Sequence, residues 1–156
     1  MLSGEDQVER LTQWREALSE LLKTQPLGVL CTHNDGQPYG SLVAVVATDD
    51  LRHILFATTR ATRKYANLTA DHRVGILIDN RSNEPEDLRL AMAATATGTA
   101  VELHGADRRQ ATAVYLRKHP QLAEFVAAPS CALMRIDVEK YYIVRHFQNV
   151  MELDVS

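Results

Sequence analysis

The chain has 156 residues, 46% of them hydrophobic, which is enough to bury a core and points to one domain spanning 1–156. Seventeen Lys and Arg stand against 20 Asp and Glu, a net charge of −3, so the basic face that a nucleic-acid binder carries is missing. Cys31 and Cys131 form no CxxC, which excludes a disulfide framework and the usual zinc sites; the polar start MLSGEDQVER and the lack of a long apolar run point to a soluble cytoplasmic protein with no membrane partner.

In chain order, an amphipathic helix is expected over Glu5 to Lys23. Val8, Leu11, Leu18, Leu21 and Leu22, with either Trp14 or Arg15, keep the three-and-four spacing of one buried face, and Pro26 stops it. Leu27 to His33 reads as a strand, and Asn34-Asp35-Gly36-Gln37-Pro38 has hairpin-turn chemistry. Tyr39 to Ala47 is the second strand, so apolar after Ser41 that burial on both faces or at an interface is expected. Asp49-Asp50 turns the chain into a third strand, His53 to Ala57.

The central stretch runs from Phe56 to Asp79, FATTRATRKYANLTADHRVGILID: the end of a strand, a Thr/Arg/Lys turn, a short helix, and a strand from Val74. Thr58, Thr59 and Thr62 bring hydroxyls and Arg60, Arg63 and Lys64 bring cations, while the helix that starts there adds free amides and the positive end of its dipole. That combination suits a phosphate. With no glycine-rich phosphate loop, side chains must do more of the anion binding. The alternative reading is a Thr-capped surface helix with solvated basic residues.

A polar loop follows at Asn80 to Asp87, then a long strand from Arg89 to Leu103 whose middle, AMAATATGTA, is nearly all small residues. Such a strand admits a close backbone or a flat ligand, or lies under a helix, and Gly98 marks a bulge or close approach. Ala106 to Lys118 reads as a helix with Ala113, Val114 and Leu116 inward, ended by His119-Pro120, and Gln121 to Ala127 as a shorter one. Cys131 to Asp137 and Lys140 to Phe147 read as a closing hairpin, followed by a short tail, 148–156. Six to seven strands with short turns and inserted helices imply an α+β, mainly antiparallel barrel. His33, His53, His72, His104, His119 and His146 show no metal-binding spacing, and no nucleophile paired with a base is visible.

The order strand, T-x-x-x-[ST]-R-K, short helix with N-L, then D-x-R-V and an apolar strand resembles the pyridoxamine 5'-phosphate oxidase-like FMN-binding split barrels. The matching residues are Thr58, Thr62, Arg63, Lys64, Asn67, Leu68, Asp71, Arg73 and Val74, and the resemblance extends from Leu27 to Phe147, giving a barrel core of 27–147. It implies an antiparallel split β-barrel that binds FMN, and a homodimer with the flavin site at the interface. It also implies that Ser41, Leu42 and Val43 run along the flavin ring, that Thr58 and Thr59 touch ring or ribityl, and that Thr62, Arg63 and Lys64 hold the phosphate.

The chain departs from the vitamin B6 oxidases themselves. Ser41 and Leu42 stand where those enzymes carry a basic residue, Ala93 aligns with their glutamine, and QNVMELDVS has no substrate-gripping Trp and Arg. The implied protein is an FMN-dependent oxidoreductase with a different substrate or electron partner. Two alternatives on the same barrel are a haem-binding or haem-utilisation protein, toward which His146 and the run Tyr115 to Pro120 point, and a non-catalytic flavin carrier or an interaction module that has lost its cofactor.

Overall fold

The structure, a computed structural model, describes residues 1, 3–146 and 149–156. Helix α1 (Gly4–Thr24) opens on a capping box, in which the Ser3 hydroxyl accepts from the Asp6 amide and the Asp6 carboxylate accepts from the Ser3 amide. Trp14, Leu18, Leu21 and Leu22 are buried. Val8 and Leu11, expected on the same face, are exposed, because only the last three turns of the helix lie on the sheet.

Among the described residues, eight strands form one antiparallel sheet: β1 (Leu27–Asn34), β2 (Gln37–Ala44), β3 (Val46–Ala47), β4 (His53–Thr59), β5 (Arg73–Asp79), β6 (Ala93–Glu102), β7 (Cys131–Arg145) and β8 (Asn149–Asp154). Their order is β2-β1-β5-β6-β7-β4-β3, with β8 paired to β7. Asp35 and Gly36, at φ 48° and 81°, make the β1–β2 turn, as Asn-Asp-Gly chemistry predicts. The two ends of this order, β2 and β3, are consecutive in the chain, so the sheet curls back on itself as a half-barrel. This is the α+β split barrel that the sequence implies.

The strand expected over Tyr39 to Ala47 is therefore two strands, broken at Val45. Carbonyls at the break need partners. Helix α4 (Gly105–Lys118) and the residue after it supply them: the Tyr115 hydroxyl donates to Ala44 O (3.1 Å), and His119 Nε2 donates to Val45 O (2.9 Å). Burial pushes the Tyr115 phenol up to about 12, as befits a hydroxyl kept as a donor. The Tyr115 to Pro120 run, read as a pointer to haem, thus contains two residues that hold the barrel at its split.

Four further expectations are corrected. No turn divides the expected hairpin between Asp137 and Lys140: β7 runs unbroken from Cys131 to Arg145, and Glu139 is taken up by the register shift against β6, where Val138 pairs with Gly98 and Lys140 with Thr97. The tail expected at 148–156 contains β8, paired from Lys140↔Asp154 to Arg145↔Asn149, which raises the strand count to eight. Phe147 lies outside the described residues. β6 begins at Ala93 rather than Arg89, because Asp87–Leu90 forms a short helix, α3, with Leu88 and Leu90 exposed. On α4 the inward residues are Ala111 and Tyr115, with Val114 and Leu116 half-buried and Ala113 exposed. A 3-10 turn (Pro120–Leu122) and α5 (Ala123–Ala127) lead into β7.

Gly98 does mark a close approach: the β6–β7 register shifts between Thr97 and Gly98, and a Cβ at Gly98 would run into the Asp137 carbonyl. Ala94, Ala96 and Ala100 of β6 belong to the main core, with Leu18, Phe56 and Ile76. Their small size serves that core, and β6 lies in the middle of the sheet between β5 and β7. No helix among the described residues is long and apolar enough to cross a membrane.

Candidate functional site

The turn after β4 is built by its own threonines. Thr62 caps helix α2 (Arg63–Ala70), its hydroxyl accepting from the Tyr65 amide (3.3 Å) and donating to Thr59 O (2.9 Å). Thr58 is buried, and its hydroxyl lies 3.2 Å from both Thr62 Oγ1 and Thr59 O. Thr58 and Thr62 therefore spend their hydroxyls largely on the turn, whereas Thr59 is half-buried with no side-chain partner among the described residues.

The three cations of the turn divide sharply. Arg60 is committed to the protein, donating to Pro129 O (2.8 Å) and to the Glu102 carboxylate (2.8 Å), which also accepts from the Tyr65 hydroxyl (2.7 Å). The Arg60 guanidinium, helped by the Tyr65 hydroxyl, holds Glu102 below the usual carboxylate range against the opposing effect of burial. Arg63 and Lys64 have no carboxylate partner among the described residues. Their backbone amides open the helix, where no preceding carbonyl can take them. Two free cations and two free amides therefore converge on one end of an eight-residue helix.

The rest of the motif is scaffolding. Asn67 is buried and donates to Thr32 Oγ1 (3.0 Å), tying α2 to β1. Asp71 accepts from the Arg73 amide and guanidinium (2.8–3.1 Å) and faces His33 Nε2 at 3.0 Å. The Arg73 guanidinium holds the Asp71 carboxyl far below its ordinary range.

The structure splits the predicted Ser41-Leu42-Val43 trio. Strand alternation puts Tyr39, Ser41 and Val43 on one face and Leu42 on the other. Val43 is buried, and Leu42 is 64% exposed. Ser41 Oγ is buried with no hydrogen-bond partner among the described residues, a state that costs about 1–3 kcal/mol when nothing relieves it. The Tyr39 ring, on the Ser41 face, lies under the Arg63 guanidinium at 5.9 Å. β2 also contacts β4. The turn and the strand are thus neighbours, with the unpartnered hydroxyl two residues along from the ring that carries Arg63.

A profile of the pyridoxamine 5'-phosphate oxidase family matches residues 14–145. The chain belongs to that family. No curated protein matches its sequence. Among solved structures, the haem-binding protein of Mycobacterium smegmatis is similar at TM-score 0.80 and 18% identity, over 90% of this chain and 57% of that one. ChuZ of Campylobacter jejuni follows at 0.79 and 13%, over 92% and 60%. An FAD-binding protein of Mesorhizobium loti gives 0.68 and 19%, over 82% and 90%. The chain spans little more than half the length of the first two, and at these identities the likeness concerns the fold.

Sequence reasoning missed the Arg60–Glu102–Tyr65 clasp and the Tyr39–Arg63 contact. Both join residues remote in sequence, 37 and 42 positions apart in the clasp, so no local pattern signals them. His146, singled out as a ligand candidate, is exposed in the turn after β7 with φ 49°.

Proposed function

We propose that this family member is an FMN-binding flavoprotein, a homodimer with its flavin site between subunits, and an oxidoreductase whose substrate differs from the B6 vitamers. One observation carries the cofactor assignment: at the start of α2, Arg63 and Lys64 have no carboxylate partner among the described residues and their two amides lie in the open first turn, while the neighbouring Arg60 is fully employed. A solvated capped helix explains the exposed cations, but it leaves the unpartnered Ser41 hydroxyl on the adjoining strand without a reason.

In this reading Arg63 and Lys64 hold the phosphate, with Thr62 orienting both by capping the helix. Thr58 acts from inside the turn, and Thr59 has the free hydroxyl that can reach the ribityl chain. Ser41 gives its hydroxyl to the ring edge, and Val43 lies along the same face. The flavin, when bound, supplies the redox chemistry. Leu42, on the opposite face, meets the partner subunit rather than the ring, which gives the edge strand β2 its cover.

The test is a titration of the purified protein with FMN and with riboflavin, followed by flavin fluorescence. Two or more charge-assisted contacts, each about 1.5–3 kcal/mol, imply roughly a hundredfold preference for FMN or more. Equal affinities sink the assignment. The haem-binding neighbours support haem as a second reading, and a strong haem absorption band with no flavin uptake decides for it. Flavin uptake without reduction by any nicotinamide or small-molecule donor leaves the carrier reading.

A further inference from the structure

A second cleft lies on a different part of the molecule, bounded by the C-terminal turns of α1 and α4 and by β3 with the loop after it; its volume is 520 Å³. That lies within the range of small-molecule sites, roughly 300–1,000 Å³. No residue of the phosphate turn lines it. Its floor is apolar, from Leu22, Val46, Ala47 and Val114, while Lys23, Arg117 and Lys118 stand against the single carboxylate of Asp49. A cationic cleft on a chain of net charge −3 is a local reversal of sign.

Helix-end attraction accounts for part of this. Lys118 donates to Leu22 O (2.9 Å) and Gln25 O (2.8 Å) and so closes the end of α1. An ammonium has three donors, so one remains. Arg117 and Lys23 have no carboxylate partner among the described residues. An occupant that suits both halves of the wall has an apolar body and one anionic end, and the planar fork of Arg117 matches a carboxylate.

We propose that the cleft between α1, β3 and α4 binds a small carboxylate with an apolar body, independently of the flavin site. The probe is decanoate, with decanol and acetate as its apolar and anionic halves, followed by the methyl NMR signals of Ala47 and Val114. Decanoate is expected to shift those signals saturably and to bind at least ten times more tightly than either half. Arg117→Gln should weaken decanoate about tenfold. Val114→Trp, which fills the cleft, should abolish binding while circular dichroism stays unchanged. If that variant fails to fold, Arg117→Gln still decides. The proposal is overturned if decanol binds as tightly as decanoate, if the shifts map away from the cleft, or if Arg117→Gln leaves the affinity unchanged.

Discussion

Strands β2 and β7 have similarly apolar sequences and opposite fates. β7 has both edges paired: β6 lies along one, and β4 and then β8 along the other. Eight of its residues from Cys131 to Ile143 are buried in the core clusters. Among the described residues β2 pairs only with β1, and Tyr39 and Leu42 stay exposed. An edge strand with uncovered apolar side chains invites a partner, although Pro38 removes one donor from that edge. The difference teaches that β7 has both edges paired within one chain, whereas β2 keeps one edge and two apolar side chains open. The flavin reading assigns a ring to its Ser41 face and a second subunit to its Leu42 face.

The largest effects separate the two strands. Ile136 of β7 is fully buried, so Ile136→Ala should cost about 2–5 kcal/mol in urea denaturation. Leu42→Ala should change the stability of the dissociated subunit, measured at high dilution, by less than about 0.5 kcal/mol, as surface substitutions do. Leu42→Asp should instead shift sedimentation from dimer to monomer. A monomer already present in the unmutated protein with FMN bound removes the shared-site geometry.

Next come the two free cations. Arg63→Ala and Lys64→Ala should each weaken FMN about ten- to a hundredfold, and the double variant should be folded but nearly colourless. Riboflavin affinity should hardly change in any of them. Loss of both flavins together would show that the substitutions damage the turn rather than the phosphate contact.

Much of this was legible in the sequence, and the failures have physical causes. The T-x-x-x-T-R-K order located the helix start, because capping and charge are local properties of consecutive residues. The Asp-Gly turn and the bulge at Gly98 were readable for the same reason. Composition could not say whether apolar β2 was buried on both faces or waiting at an interface, since that depends on which strands arrive beside it. The split at Val45 was invisible, because it is held by Tyr115 and His119, some seventy residues away. Arg60 looked like Arg63 and Lys64 until Glu102 was placed beside it.

Ser41→Ala tests the unfinished face of β2 with a smaller effect and a sign that differs between two measurements. Removing a buried hydroxyl that has no partner relieves its desolvation, so the flavin-free protein should be equally stable or more stable by up to about 1 kcal/mol. Flavin affinity should fall about three- to tenfold, because one ordinary hydrogen bond is lost. Unchanged flavin affinity would place the ring away from Ser41.

The smallest effect lies in the clasp that holds Arg60 on Glu102 and Pro129. Glu102 is held ionised below its usual range, first by Arg60 and then by Tyr65. A carboxyl whose folded pKa is depressed adds stability above its unfolded value, about 4.3, and that stability is lost as the pH falls through the folded pKa. Wild type should therefore exceed Glu102→Gln in thermal stability at pH 7, and the gap should close below about pH 4. In the flavin reading FMN affinity should change little at pH 7, because that reading gives the phosphate to Arg63 and Lys64 and leaves Arg60 to steady the turn. Flavin binding that strengthens in Glu102→Gln would mean that a released Arg60 can join the phosphate site, and the division of the three cations would then be set by Glu102 alone.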